Sequence, residues 1–151
     1  MNVSLDLLKI LREETSAGVS DCRKALEDSE GNIEKAKKLL LQRGMEKASK
    51  KEGKETHEGI IESYVHAGKV GVLVLLRCET DFVARTDEFK QLAHEICMQV
   101  AAMNPKTVDE LLKFPYIRDS SLTIEALIKL NVAKLGENIT VSKYSRIAVG
   151  E

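Results

Sequence analysis

The chain has 151 residues, of which 31% are charged and 43% hydrophobic, and its formal net charge at pH 7 is -1. This composition is typical of a folded soluble protein, and it lacks the basic excess with which proteins neutralise nucleic-acid phosphates. No apolar run reaches the roughly 18 residues of a membrane-spanning helix, and the first residues lack the basic and apolar regions of a secretory signal. The sequence therefore predicts a cytoplasmic protein with no membrane partner and no direct nucleic-acid partner.

The cysteines give no sign of a disulfide framework or a structural zinc site. Cys22, Cys78 and Cys97 are an odd number, lie far apart and form no Cys-x-x-Cys pair. His94 lies three residues before Cys97 and could begin a metal or nucleophile site, but the sequence offers no third ligand. We therefore predict no metal, no cofactor and no side-chain catalysis, with an enzyme that uses Cys97 and His94 as the alternative.

Residues 1–44 have the pattern of three short helices. Ser4, Ser20 and Asn32 are predicted N-caps, and Gly31 and Gly44 are predicted to end the second and third helices. The apolar residues recur at helical spacing, which predicts a compact bundle with a small core. From 45 to 58 the chain is rich in Lys, Glu, Gly and Ser, which is typical of a solvated linker. Three parts are therefore predicted: a module at 1–44, a charged linker at 45–58 and a core domain at 59–151.

The core domain begins with the pattern of a β-hairpin. Residues Gly59–His66 alternate as in a half-buried strand, Ala67-Gly68 is a short turn, and Val70–Arg77 is nearly all aliphatic, as in a deeply buried strand. Residues 138–149 alternate again and predict a third strand.

Three helices are predicted between the second and third strands. The first begins at the N-cap Thr86 and ends at Met103, and the second is a short helix that begins with a capping box at Thr107. The last runs from about Ile124 to Leu135. We therefore expect an α+β fold, in which a three-stranded antiparallel sheet carries helices and follows the N-terminal three-helix bundle.

Phe82 occupies the corner between the apolar strand and the helix that begins after Thr86. Charged residues flank it on both sides in the sequence Glu-Thr-Asp-Phe-Val-Ala-Arg, and side chains at such a corner can project from the fold. The alternative is that Phe82 fills the core of its own chain, as most phenylalanines do.

The run Cys-Glu-Thr-Asp-Phe-Val-Ala-Arg at residues 78–85 resembles the signature of the elongation factor Ts family, whose members exchange nucleotide on elongation factor Tu. Residues 11–26, with Asp-Cys-Arg-Lys-Ala-Leu, resemble the amino-terminal module of the same family, which is similar to ubiquitin-associated domains. Residues 132–139 resemble the segment after the last helix of the family's core subdomain. Residues 1–44 taken alone are also compatible with an adaptor of the ubiquitin-associated type.

The resemblance implies a guanine nucleotide exchange factor that binds elongation factor Tu in its GDP-bound and nucleotide-free forms. It implies that Phe82 inserts as a wedge into the GTP-binding domain and that Asp81 helps to displace the groups that hold Mg²⁺. Thr80, Val83 and Arg85 would shape this contact. The further partner-binding residues that it implies are Arg23, Lys24, His66, Leu135, Gly136 and Asn138. Arg23 and Lys24 are equally explained as solvated helix charges, and Gly136 as a helix C′ residue.

The chain also differs from its longer relatives in the family. It has one core subdomain where long members have two, and the stretch between Met103 and Pro115 is too short for the helices that other short members have there. The resemblance therefore implies a homodimer through the core sheet, with one elongation factor Tu bound on each side.

Overall fold

The N-terminal helices form a small bundle in the computed structural model, which describes residues 2–151. α1 (Leu5–Thr15), α2 (Val19–Asp28) and α3 (Ile33–Ser49) are amphipathic, and each turns its apolar side to the other two. The buried residues of this bundle are Leu8, Leu11, Cys22, Ala25, Leu26, Ala36 and Leu40. The prediction of three N-terminal helices is thus confirmed.

Two of the three predicted caps of the bundle are present. The Ser4 and Asn32 side chains accept hydrogen bonds from the backbone N–H groups of Asp6 and Lys35. The third prediction is wrong, because α2 begins one residue after Gly18 and Ser20 lies inside the helix. Gly18 has extended backbone angles and makes no side-chain cap, so backbone conformation alone sets this helix start.

The core domain begins with the predicted hairpin. β1 (Glu58–His66) and β2 (Val70–Cys78) pair antiparallel, and the turn residues Ala67 and Gly68 have φ values of 52° and 66°. Two successive positive φ values are typical of a type I′ turn, whose twist matches that of the strands. β2 was predicted to be deeply buried, but only alternate side chains are, namely Val72, Val74, Leu76 and Cys78.

Helices follow the hairpin. α4 (Asp81–Ala84) is a single turn that the sequence did not predict, whereas α5 (Asp87–Met103) and α6 (Val108–Lys113) were predicted. Thr86 and Thr107 cap α5 and α6 through their hydroxyl groups, as the sequence indicated. α5 supplies most of the apolar layer that covers the inner face of the sheet.

The remaining elements close the core. A small hairpin of β3 (Pro115–Tyr116) and β4 (Asp119–Thr123), which the sequence did not predict, leads into α7 (Ile124–Leu135). Gly136 ends α7 with φ 78°, and β5 (Thr140–Ala148) then pairs with β2. The main sheet has the order β1-β2-β5 and is antiparallel throughout, so the predicted α+β class is confirmed.

Buried polar side chains attach the β3–β4 hairpin to α5. The Tyr116 hydroxyl donates to Glu95 Oε2 at 2.7 Å, and Arg118 forms an ion pair with the same oxygen at 3.0 Å. Gln99 Nε2 donates to the Pro115 carbonyl at 3.0 Å. Burial and the bond to Glu95 raise the pKa of the Tyr116 phenol, which remains a donor. This network holds the short segment after α6 against α5 without an unsatisfied polar group.

Gly44 packs the bundle against the core. The sequence predicted that Gly44 ends the third helix, but α3 continues to Ser49 and Gly44 is buried within it. A Cβ atom at Gly44 would lie 2.9 Å from Leu130 Cδ2 on α7, so the missing side chain permits close approach of the two helices. Ala48, one turn later, is buried in the core cluster. The first residues of the predicted linker are therefore helical, and the division into domains stays a prediction.

Replacement of Gly44 by valine is expected to destabilise the protein by about 1–3 kcal/mol, because the added methyl groups meet Leu130 in a close helix contact. Denaturant unfolding measures the change. Gln42→Val is the matched control, since it places the same side chain on the exposed side of α3. Truncation of the facing residue, Leu130→Ala, should recover part of the loss in the Gly44→Val background. Equal stability of the Gly44→Val and Gln42→Val variants would contradict this account of the glycine.

Candidate functional site at the corner between β2 and α5

Successive threonine caps define the backbone of the corner. Thr80 caps α4 by accepting a hydrogen bond from the Val83 N–H at 3.3 Å, and Thr86 caps α5 by accepting from the Phe89 N–H at 3.2 Å. Ala84 lies between them and is buried in the core cluster. The chain from β2 to α5 therefore turns twice within a few residues and is anchored on its inner side.

Phe82 projects from this turn into solvent. Its side chain is 79% exposed, and the guanidinium carbon of Arg85 lies 6.0 Å from the centre of its ring. Phe82 therefore does not fill the core of its own chain, and the alternative reading of the sequence is wrong on this point. An aromatic ring in this position exposes apolar surface whose burial would stabilise a complex by about 1.5–3 kcal/mol.

The charged residues beside Phe82 pair with each other. The Asp81 carboxylate and the Arg85 guanidinium form an ion pair across one helical turn, and both side chains are exposed. A pair of this kind contributes only about 0.3–0.5 kcal/mol to a helix, so a partner can separate it at little cost. Val83 is half-buried against the core cluster and forms the inner edge of the same turn.

Glu79 and Glu137, which the sequence did not indicate as site residues, connect the corner to the turn after α7. Glu137 Oε1 accepts hydrogen bonds from the N–H groups of Thr80 and Glu79, and its Oε2 accepts from the Thr80 hydroxyl. Glu79 Oε2 in turn accepts from the Asn138 N–H at 2.7 Å. The structure thus brings Thr80 and Asn138 together. The sequence did contain a signal for Glu137, because its carboxylate lies between Gly136 and Asn138, in a segment that the resemblance associates with the site.

The other predicted partner-binding residues lie at three places. Leu135 and Gly136 end α7 beside the corner, and Leu135 is half-buried. Arg23 and Lys24 are exposed on α2, and His66 lies at the end of β1, where its Nδ1 is 2.8 Å from the Tyr64 hydroxyl. These last three side chains make no hydrogen bond or ion pair to the corner within residues 2–151, so any shared role would have to be through a common partner.

The side of the sheet turned away from α5 is also apolar and exposed, and we call it the outer sheet face. Its members are Ile61, Val65, Leu73, Ile147 and Val149. Strand register places Leu73 at the centre of β2 between two serines, and Val65 and Ile147 on either side of Gly71. An apolar surface of this kind is typical of a protein interface.

The described residues do not support the thiol-enzyme alternative. Burial raises the pKa of Cys97 to about 12, and the Cys97 thiol lies 3.5 Å from the Glu62 carbonyl, to which it donates. His94 instead packs edge-on against Tyr64. Across residues 2–151 no cluster of three His, Cys, Asp or Glu side chains could hold a metal, and no helix is long and apolar enough to cross a membrane.

An aromatic side chain exposed on a fixed turn is the kind of residue that anchors contacts between proteins. The family model described as elongation factor TS matches residues 79–151. Over 195 aligned residues the chain is 45% identical to elongation factor Ts of Thermotoga neapolitana, with 100% of this chain and 99% of that protein covered. It is 40% identical to elongation factor Ts of Coprothermobacter proteolyticus, with both chains fully covered, and 41% identical to a chloroplastic elongation factor Ts of Guillardia theta, with 100% and 90% covered. The chain belongs to the elongation factor Ts family and is a translation elongation factor.

The alignments also show that the chain is shorter than these relatives inside its sequence. The alignment to the Thermotoga neapolitana protein covers nearly all of both chains, yet it spans 195 residues whereas this chain has 151. At least 44 positions of the alignment therefore have no residue here, and most of them are internal. Between Met103 and Pro115, where the sequence predicted a shortened segment, the structure contains only the short helix α6.

Proposed function

We propose that this protein is a guanine nucleotide exchange factor for elongation factor Tu, which binds the GDP-bound and nucleotide-free forms and promotes release of GDP so that GTP can bind. The observation that carries the proposal is the exposed Phe82 side chain on a turn that caps and core contacts hold in place. The protein would act as a binding partner, without a cofactor and without side-chain catalysis, in the cytoplasm.

The physical basis of exchange is a difference in affinity for two states of the GTPase. A translational GTPase holds GDP and Mg²⁺ through a phosphate-binding loop and switch segments, and many of these contacts must be lost together. A protein that binds the empty state more tightly than the GDP-bound state weakens GDP binding by the same factor. The free energy gained when Phe82 is buried in the partner would offset part of the cost of opening its nucleotide site.

Within this proposal the corner residues have distinct tasks. Phe82 is the wedge that enters the GTP-binding domain. Asp81 brings a carboxylate next to it, and this charge helps to displace the groups that hold Mg²⁺ once the partner separates Asp81 from Arg85. Val83 supports the base of the wedge, and Thr80 fixes the turn because its hydroxyl already has two internal partners.

The remaining residues would extend the contact. Leu135, Gly136 and Asn138 flank the corner and belong to the same docking surface, while Arg23 and Lys24 on α2 would dock the bundle on the GTPase through their exposed charges. His66 would reach a second contact area from the end of β1. The outer sheet face would join two copies of the chain into a homodimer.

The proposal is tested by the rate at which labelled GDP leaves elongation factor Tu. The wild-type chain should accelerate release, and Asp81→Ala should lower this acceleration about tenfold at millimolar Mg²⁺, which corresponds to the loss of one charge-assisted interaction. Because the role assigned to Asp81 is to weaken Mg²⁺ binding, chelation of Mg²⁺ should restore most of the lost rate. Asp87→Ala, which removes an exposed carboxylate from the first turn of α5, is the matched control.

Two outcomes would count against this proposal. If chelation does not rescue Asp81→Ala, the Mg²⁺ role of Asp81 is wrong, although exchange itself stands. If the wild-type chain leaves GDP release unchanged and instead binds a ubiquitin-like protein, the adaptor alternative is favoured.

A further inference from the structure

We infer that Glu137 is a positioning residue, which holds the turn bearing Phe82 in the orientation needed for docking. This inference rests on the proposed exchange function and deepens it. Glu137 follows α7 and is separated from the corner by 57 or 58 positions in the sequence, but its side chain reaches the corner directly.

Both carboxylate oxygens of Glu137 accept hydrogen bonds from residues at the start of the turn. Oε1 accepts from the Thr80 N–H at 3.0 Å and from the Glu79 N–H at 3.2 Å, and Oε2 accepts from the Thr80 hydroxyl at 2.6 Å. Hydrogen bonds to an ionised carboxylate are about twice as strong as neutral ones. Glu137 therefore satisfies the backbone donors that lead into α4.

The bond to the Thr80 hydroxyl also determines what that hydroxyl can do. Because the Thr80 proton points to Glu137, the lone pairs of Oγ1 are left to accept from the Val83 N–H, which is the N-cap bond of α4. A helix of one turn has no cooperative stability of its own. The conformation of the turn that carries Phe82 thus depends on a cap that Glu137 orients.

A reciprocal bond makes the connection rigid. Glu79 Oε2 accepts from the Asn138 N–H at 2.7 Å, so each segment supplies a carboxylate to the backbone of the other. The Asn138 side chain continues the connection by donating to the Lys54 carbonyl at 2.7 Å. Three segments that are distant in the sequence therefore meet at the base of the Phe82 turn. A wedge held in this way loses little conformational entropy on binding, which favours docking.

The test compares Glu137→Ala with Glu125→Ala in the full chain. Glu125 lies at the start of α7, is exposed and forms an ion pair with Lys129, so its removal changes the same charge away from the corner. In the free protein, we expect faster amide hydrogen exchange at residues 79–84 in Glu137→Ala alone, with unchanged protection in α1 to α3. We expect Glu137→Ala to lower the acceleration of GDP release from elongation factor Tu about ten- to hundredfold. A loss of this size is expected when a functional group is misplaced.

A double variant separates positioning from a general loss of stability. If Glu137 acts by positioning the turn that carries Phe82, adding Glu137→Ala to Phe82→Ala should lower the rate of GDP release several-fold less than Glu137→Ala lowers it in the wild-type chain, because the wedge is already absent and only Asp81 remains to be misplaced. Glu137→Gln, which keeps one accepting oxygen, should recover part of the rate and of the amide protection. An equal loss in both backgrounds, or unchanged protection at residues 79–84 in Glu137→Ala, would overturn the inference. If the wild-type chain does not accelerate release of GDP from elongation factor Tu, the exchange function is refuted. Amide hydrogen exchange at residues 79–84 then still decides whether Glu137 holds the turn.

Discussion

Phe82→Ala is expected to lower the acceleration of GDP release by about a hundredfold, in the range found when the central aromatic residue of an interface is truncated. The fold should remain intact. Phe82 is 79% exposed and is a member of neither buried cluster, so its removal should change the free energy of unfolding by less than about 0.5 kcal/mol. The loss therefore belongs to the complex with the partner.

Stopped-flow release of labelled GDP from elongation factor Tu, with denaturant unfolding of the free protein, measures both effects of this substitution. Ile117→Ala is the matched control, because Ile117 is also a large exposed apolar residue, 47% exposed, but lies on the β3–β4 connection. The wedge role is refuted if the Phe82→Ala protein unfolds at the same denaturant concentration as the wild type and still accelerates release of GDP from elongation factor Tu to the wild-type rate. A large loss of stability would show instead that the ring supports its own fold.

The elements that the sequence predicted are those in which local patterns and tertiary packing agree. Thr86 is followed by apolar residues at helical spacing, and the structure has α5 capped by that threonine. Ala67-Gly68 separates two runs of β-type residues, and both take the positive φ that a tight hairpin needs. In these places a few adjacent residues determine the conformation, so one sequence is sufficient to recognise it.

The predictions that were wrong or missing concern places where residues far apart in the sequence determine the structure. Gly44 has the local appearance of a helix end, but α3 continues through it and packs against α7, which is far along the chain. α4 has four residues and β3 has two, too few for an apolar pattern to repeat, and β4 has a single apolar residue, Leu122. In the site, the projection of Phe82 followed from its place at a corner. The hydrogen bonds of Glu137 to Thr80 join positions 57 residues apart, which no spacing rule predicts.

The burial of β2 also differs from its prediction, and this difference concerns the assembly of two chains into a dimer. The nearly all-aliphatic run from Val70 to Leu76 predicted a deeply buried strand, yet Leu73 is 52% exposed in the single chain. A strand with this composition is typical of a sheet that is covered on both sides. The outer sheet face, with Ile147 77% exposed at its edge, therefore presents several apolar side chains that no layer of this chain covers. This contrast supports the proposed homodimer.

Leu73→Lys is accordingly expected to convert a dimer of the protein into monomers. In a two-fold symmetric contact each residue occurs twice, so one substitution places two lysines near the centre of the outer sheet face. Burial of these charges without partners would raise the dissociation constant by at least about a hundredfold. Because Leu73 is half exposed in the single chain, the monomer itself should stay folded. Sedimentation equilibrium of the free protein over a range of concentrations measures the change.

Leu5→Lys is the control for this substitution, since Leu5 is a leucine of α1 that is 72% exposed and lies away from the sheet. It should leave the dissociation constant unchanged. A wild-type protein that is monomeric at all concentrations, or a Leu73→Lys protein that remains dimeric, would refute a dimer through this face. Phe82 lies at the opposite end of β2 from the hairpin turn, and Leu73 points away from α5. The wedge is therefore intact in the Leu73→Lys monomer. If this monomer no longer accelerates release of GDP from elongation factor Tu, exchange requires both chains of the dimer.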